Sequence, residues 1–76
     1  MNIDEIKRLY NRRYKVEFRL YGMEYTIMKV EKGAIIFPNI YNDRSTLFND
    51  IDLLLNNYTI FNESIINCQN DIKNIR

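Results

Sequence analysis

The chain has 76 residues and a formal net charge of +1, with 46% hydrophobic and 13% aromatic residues. This length corresponds to one small domain spanning residues 1–76, and the apolar content excludes an intrinsically disordered chain. The single cysteine, Cys68, excludes an internal disulfide framework. No apolar stretch approaches the ~20 residues of a membrane span, so we expect a cytoplasmic protein without a membrane partner.

The first predicted element is a helix that ends near Arg13. Asn2 or Asp4 can cap its beginning, where an acidic side chain also suits the positive end of the helix dipole. Its apolar residues recur at helical spacing and form one stripe, which contains Ile3, Ile6, Leu9 and Tyr10.

The period of the apolar pattern then changes to two, which predicts β-strands. Residues 14–21 favour a first strand with one buried face, and Gly22-Met23 favours a hairpin turn. Residues 24–31 predict the return strand, with Tyr25 and Ile27 on one face and Met28 and Val30 on the other. Because both faces carry apolar residues, we expect either a bulge or a sheet that is covered on both sides.

A second turn at Lys32-Gly33 leads into a short apolar third strand, residues 34–37, which Pro38 ends. Ser45 or Thr46 is expected to cap a second helix, and Asn62 a third. The apolar face of the second helix contains Leu47, Phe48, Ile51, Leu54 and Leu55. The stripe of the third helix contains Ile65, Cys68, Ile72 and Ile75. The predicted fold class is α+β: a helix, a three-stranded antiparallel meander, and two C-terminal helices packed on the sheet.

The sequence lacks the usual groups of a catalytic site. There is no histidine to act as general base, and one cysteine cannot build a zinc site. The two glycines, Gly22 and Gly33, lie in predicted turns and form no phosphate-binding loop. We therefore expect a non-enzymatic protein without metal or cofactor.

Charge is unevenly distributed along the chain. The segment from Lys7 to Arg19 holds six basic residues and one acid, Glu17. Because a basic face attracts anionic surfaces, this segment is the candidate binding site. The candidate partner-binding residues are Arg8, Arg12, Lys15, Arg19 and Tyr21.

Three interpretations of this segment stay open. The basic residues can be a solvated face that compensates the helix dipole, a protein-binding surface, or a nucleic-acid-binding surface. Arg and Tyr are favoured at protein interfaces, which supports a protein partner. Tyr21 and Phe37 would offer stacking faces to bases, but the pI of about 7.8 lies below that of strongly basic nucleic-acid-binding domains. The exposed edges of a meander also allow pairing in a homodimer.

Two segments carry a resemblance to known proteins. The run Val16–Ile27, with Tyr21-Gly22 and a Tyr-bearing return strand, resembles small uncharacterised proteins of low-GC Gram-positive bacteria and their phages. The segment from Phe48 to Ile60 resembles their second-helix region. The element order and the opening Met1-Asn2-Ile3 are also similar to a small phage anti-CRISPR type that blocks a type II effector nuclease. That type is acidic and imitates DNA, whereas the N-terminal third of this chain is basic, so the resemblance does not imply DNA mimicry.

These observations predict a non-enzymatic protein-binding module. Its most concrete form is an anti-CRISPR-like inhibitor, from a phage or other mobile element, of a host defence protein such as a nuclease complex. One alternative is a nucleic-acid-binding protein that uses the basic segment from Lys7 to Arg19. The other is a structural or homodimeric protein without a ligand.

Overall fold

The N-terminal helix ends at Arg13 as predicted, but it already includes Asn2 and Asp4, the two residues expected to cap it. A computed structural model describes residues 2–76, and its first helix, α1, spans Asn2–Arg13. Acidic side chains lie in the first turn of α1 and basic ones in the last turn, as the helix dipole favours. Its apolar stripe buries Ile6, Leu9 and Tyr10.

A four-stranded antiparallel sheet follows, with its strands in sequence order. The strands are β1 (Lys15–Leu20), β2 (Met23–Val30), β3 (Gly33–Pro38) and β4 (Thr46–Phe48). The register is one-to-one along both β1–β2 and β2–β3, so the return strand contains no bulge. The other alternative, a sheet covered on both sides, is also wrong, because the face that carries Met28 and Val30 lies outside the core cluster of residues 2–76.

The first hairpin turn lies one residue earlier than predicted. Tyr21 and Gly22 are its two central residues, with φ angles of 51° and 80°. Positive φ at both positions is the type I′ geometry, whose twist matches that of the flanking strands.

The predicted second helix is wrong at its beginning, and the three-stranded meander is wrong with it. Residues 46–48, expected in the helix, form β4 instead, where Phe48 lies opposite Ala34. The second helix, α2, spans Ile51–Asn57, and the Asp50 carboxylate caps it by accepting a hydrogen bond of 2.8 Å from the Leu53 amide. Aspartate is at least as good a helix cap as the serine and threonine that were expected to cap α2. The helix therefore begins after Asp50, and the preceding residues can extend the sheet.

The predicted third helix is absent from the described part of the chain, residues 2–76. The segment forms a small hairpin, β5 (Thr59–Ile60) and β6 (Glu63–Ser64), followed by turns and a 3₁₀ turn at Gln69–Asp71. Phe61 and Asn62 have φ angles of 53° and 67°, which place another type I′ turn where the helix cap was expected. The inward-facing residues of the predicted stripe, Ile65, Cys68 and Ile72, are buried nonetheless. Their spacing identified buried positions but could not separate a helix from successive tight turns.

The last residues cover the outer edge of β1. The amide of Arg19 donates to the carbonyl of Lys73 at 2.7 Å, and the reverse bond is 2.8 Å. Glu17 and Arg76 exchange a similar pair of 2.7 and 2.9 Å. Asn74 adopts a φ of 55°, which absorbs the extra residue between the two pairs. The edge of β1 is thereby paired, and β4 ends the sheet on its other side.

One face of the sheet carries the whole core. Side chains from α1, α2 and the segment after α2 pack on it in a single cluster, in which Phe18, Ile27, Ile36 and Leu54 are fully buried. The described residues, 2–76, are thus α+β, but with a four-stranded sheet, a second sheet of two short strands, and one α-helix after the first sheet. None of the helices that the structure describes is both long enough and apolar enough to cross a membrane.

Candidate functional site

The face of the sheet opposite the helices has no layer of structure over it among residues 2–76. Successive side chains of a strand point to opposite faces, so the residues between the core positions all project outwards. We call this surface the open face. On β1 to β4 it consists of Lys15, Glu17, Arg19, Glu24, Thr26, Met28, Val30, Ile35, Phe37 and Leu47.

The part of the open face on the second half of β2, on β3 and on β4 is apolar. Met28, Ile35 and Leu47 lie opposite one another and form one row across three strands. Leu47 is 49% exposed and the other two are partly exposed. Val30 and Phe37, also partly exposed, flank this row on the same face. These five residues, which we call the apolar half, form one contiguous apolar surface.

A 3₁₀ turn at Asn39–Tyr41 borders the open face near the β1–β2 turn. The Thr26 hydroxyl donates a hydrogen bond to the Asn39 side-chain carbonyl, which leaves Thr26 only 3% exposed. Beyond this bond, Ile40 is 74% exposed, and it lines a small cleft of about 220 Å³ together with Arg19. The turn therefore adds exposed apolar surface at the border of the face.

The part of the open face on β1, at the beginning of β2 and on the C-terminal segment is charged. We call it the charged half, and it consists of Lys15, Glu17, Arg19, Glu24, Lys73 and Arg76. The Arg76 guanidinium lies 2.5 Å from a Glu24 carboxylate oxygen and 3.5 Å from one of Glu17. The hydrogen bond that Arg76 donates to the Glu24 carboxylate raises the pKa of Arg76 above its ordinary value. Both acids are thus occupied by the same arginine.

The remaining basic groups of the charged half form weaker ion pairs or none. The ammonium of Lys15 lies 3.7 Å from Glu17, a long and solvent-exposed ion pair. Arg19 and Lys73, which are backbone partners, form no ion pair with any other residue that the structure describes. With four basic and two acidic side chains, the charged half has a positive excess on one flank of the apolar half.

The structure brings together only part of the predicted site. Lys15 and Arg19 lie on the open face, as the alternation of β1 predicts. Arg8 and Arg12 lie on the exposed side of α1, which packs on the core face, and Arg8 pairs with Glu5. These two arginines are therefore on the other side of the sheet from Lys15 and Arg19.

Tyr21 also leaves the predicted surface, because its left-handed backbone turns it away from the strand. Its hydroxyl donates to the Asp71 carboxylate at 2.9 Å, and its ring lies 5.6 Å from that of Phe61. Both partners belong to the segment after α2 that covers the core face. Tyr21 thus joins the β1–β2 turn to the covering segment and is not part of the open face.

The sequence interpretation missed the apolar half, Lys73 and Arg76. The signal for the apolar half was present, since Met28 and Val30 were assigned to the face opposite Tyr25 and Ile27. No local sequence pattern predicts that residues 73–76 pair with β1, because the two segments lie far apart in the sequence.

The described residues, 2–76, contain no group of three His, Cys, Asp or Glu side chains that could hold a metal ion. Cys68 is 3% exposed, and its sulfur lies 3.1 Å from the Ser64 carbonyl oxygen. It packs in the core, with the behaviour of a small apolar residue. No protein family, curated protein or solved structure matches the chain.

Proposed function

We propose that the chain is a protein-binding module without catalytic activity and that its partner docks on the open face. The observation that supports this most strongly is the row of Met28, Ile35 and Leu47, which is apolar across three strands on a face without a core. Contiguous apolar surface bordered by polar groups is typical of interaction sites.

The composition of the face supports a protein partner. Protein interfaces combine an apolar centre with a polar rim, and arginine and methionine are enriched in them. The apolar half supplies the centre, and Arg19 and Arg76 lie on the rim. Burying apolar area contributes roughly 25 cal/mol per Å², so covering several partly exposed aliphatic side chains stabilises a complex without any catalytic group.

The concrete form of the proposal is a cytoplasmic inhibitor, from a phage or other mobile element, that occupies a surface of a host defence protein such as a nuclease complex. Its support is the sequence resemblance described above. A small module with an open sheet face suits such a role, because inhibition by occupancy requires a surface and no reaction.

Affinity capture with a matched pair of variants tests the proposal. The wild-type chain, Leu47→Asp and Leu53→Asp are each immobilised and incubated with lysate of a low-GC Gram-positive bacterium. Leu47 and Leu53 are similarly exposed, at 49% and 43%, but Leu53 lies on α2, behind the core. We expect a specific protein to be retained by wild type and Leu53→Asp and lost with Leu47→Asp. Equal retention by all three folded proteins would contradict docking on the open face.

Nucleic acid is the second candidate ligand, and the observation that favours it is the position of Phe37 on the same face as Arg19 and Lys73. Single-stranded nucleic acid binds to such combinations of aromatic and basic groups. Against it, the apolar half contains one aromatic residue, and Glu17 and Glu24 lie within the charged half. Gel-shift titration with single-stranded RNA and DNA at low salt separates the candidates. A shift that disappears in Arg19→Gln and weakens steeply with salt would replace the protein proposal.

A further inference from the structure

We infer that the element that docks on the open face is an amphipathic helix whose apolar stripe is flanked by acidic residues. This inference rests on the proposed function, because it specifies the partner of the same surface. It follows from the width of the apolar half, from the hydrogen bonding of the sheet, and from the position of the unpaired basic groups.

The width of the apolar half fits one helix. Its central row, Met28, Ile35 and Leu47, crosses three adjacent strands. Neighbouring strands are about 4.8 Å apart, so this row spans about 10 Å between its outer strands. An α-helix with its side chains is about 10–12 Å across. One helix would therefore cover the row, while a smaller element would leave part of it exposed.

Backbone pairing favours a helix over a strand. A partner strand adds to a sheet at an edge, where unpaired amides and carbonyls project. The edge of β1 is already paired with residues 73–76, and β4 is only three residues long. The open face itself offers side chains alone, and a helix, whose own backbone is internally bonded, can bind to such a surface without leaving polar groups unpaired.

The positive excess of the charged half indicates that the partner helix carries negative charge on the side that faces it. Arg19 and Lys73 are adjacent across the sheet edge and form no ion pair among residues 2–76, since Glu24, which lies opposite Arg19 on β2, is paired with Arg76. Glu17 and Glu24 are both held by Arg76. A helix seated on the apolar half would place one side against this flank, and acidic side chains there would pair with Arg19 and Lys73, whereas basic side chains would be repelled.

Two synthetic peptides of 18 residues test this inference. Both carry a leucine stripe at helical spacing, one with glutamates and the other with lysines beside the stripe, and each is labelled for fluorescence anisotropy. At low salt we expect the acidic peptide to bind at least about tenfold more tightly, and the difference to shrink as salt screens the charges.

Two double variants with the same change in net charge provide the control. Arg19→Gln/Lys73→Gln removes the basic flank and should abolish the preference for the acidic peptide. Arg8→Gln/Arg12→Gln removes the same charge from α1 and should leave the preference unchanged. Equal binding of both peptides to wild type, or an equal effect of the two double variants, would overturn the inference.

The peptide experiment can contradict the acidic helix without contradicting the proposed function. If neither peptide binds while Leu47→Asp still abolishes capture of a lysate protein, the open face is a docking site and the acidic helix is wrong. If the acidic peptide binds and Leu47→Asp does not weaken it, the helix does not sit on the apolar half, and the inference is overturned.

Discussion

The two faces of the sheet use neighbouring residues of the same type for different purposes. Ile36 points into the core and has no exposed surface, whereas Ile35, the preceding residue, lies on the open face and is partly exposed. On β2, Ile27 and Met28 divide in the same way. Because only the core face is covered by α1, α2 and the segment after α2, the apolar side chains of the open face keep part of their surface exposed and contribute less to folding. The comparison shows that apolar residues on these strands extend beyond the core, and in our proposal the exposed ones bind the partner.

The largest expected effect is the difference in stability between the variants that replace Ile36 and Ile35 with alanine. Ile36→Ala should lower the free energy of unfolding by about 2–5 kcal/mol, because it removes buried methyl groups and leaves a cavity. Ile35→Ala should cost about 1 kcal/mol or less, because its side chain is already partly in water. Urea denaturation of both variants measures the difference. Equal losses would mean that the open face is covered in the folded protein.

The next effect concerns the attachment of β4, which supplies residues to both faces. Gly33 has a φ of 145°, and a Cβ atom there would lie 2.1 Å from the carbonyl oxygen of Phe48. Gly33→Ala should therefore displace β4 and destabilise the protein by more than about 1 kcal/mol.

Gly22→Ala is the matched control for this change. Gly22 also has positive φ, at 80°, but a Cβ atom there meets nothing within 4 Å. Its cost should be limited to backbone strain of roughly 1 kcal/mol. A smaller loss for Gly33→Ala than for Gly22→Ala in the same denaturation assay would contradict the close approach of β3 and β4.

A smaller effect is expected at the cap of α2, which belongs to the covered face alone. Asp50→Ala removes the carboxylate that accepts the Leu53 amide and should cost about 1 kcal/mol. Binding of the acidic peptide should not change, since α2 lies behind the core. Thermal melting and peptide anisotropy of the same variant check both statements, and weakened binding at unchanged stability would refute the separation of the faces.

The smallest expected effect is a loss of stability at high pH, which arises from Tyr21 at the border of the covered face. The hydrogen bond to Asp71, together with burial, raises the pKa of Tyr21 to about 12. Because the folded state favours the protonated phenol, this contribution is complete below the ordinary tyrosine pKa of about 10 and is lost as pH rises towards 12. Burial also raises the pKa of Tyr10, Tyr25 and Tyr58, so several tyrosines should ionise late. Ultraviolet titration should therefore show one fewer late-ionising tyrosine in Tyr21→Phe than in wild type. An unchanged amplitude of the late step in the variant would contradict the assignment to Tyr21.

Prediction from the sequence succeeded where local signals agree. The acidic start, basic end and apolar stripe of α1 specify one helix, and strict alternation specifies β1. It failed after Pro38, where two caps competed and Asp50 rather than Ser45 or Thr46 begins α2. It failed again after Asn57, where the spacing of Ile65, Cys68 and Ile72 fits both a helix and a chain of tight turns.

The candidate site could be predicted from the sequence only in part, for the same reasons. Lys15 and Arg19 follow from the alternation of β1, which is local. The left-handed backbone of Tyr21 depends on the turn register, which was one residue off. The contribution of Lys73 and Arg76 depends on pairing between distant segments, which local patterns do not encode.

The central claim is that the sheet has one covered and one open face, and methyl NMR with a soluble paramagnetic agent tests it most directly. With the isoleucine δ-methyl groups labelled, the signal of Ile35 should broaden strongly as the agent is added, while that of Ile36 stays sharp. Equal protection of both methyl groups would contradict the account, because it would show that the surface assigned to a partner is already buried.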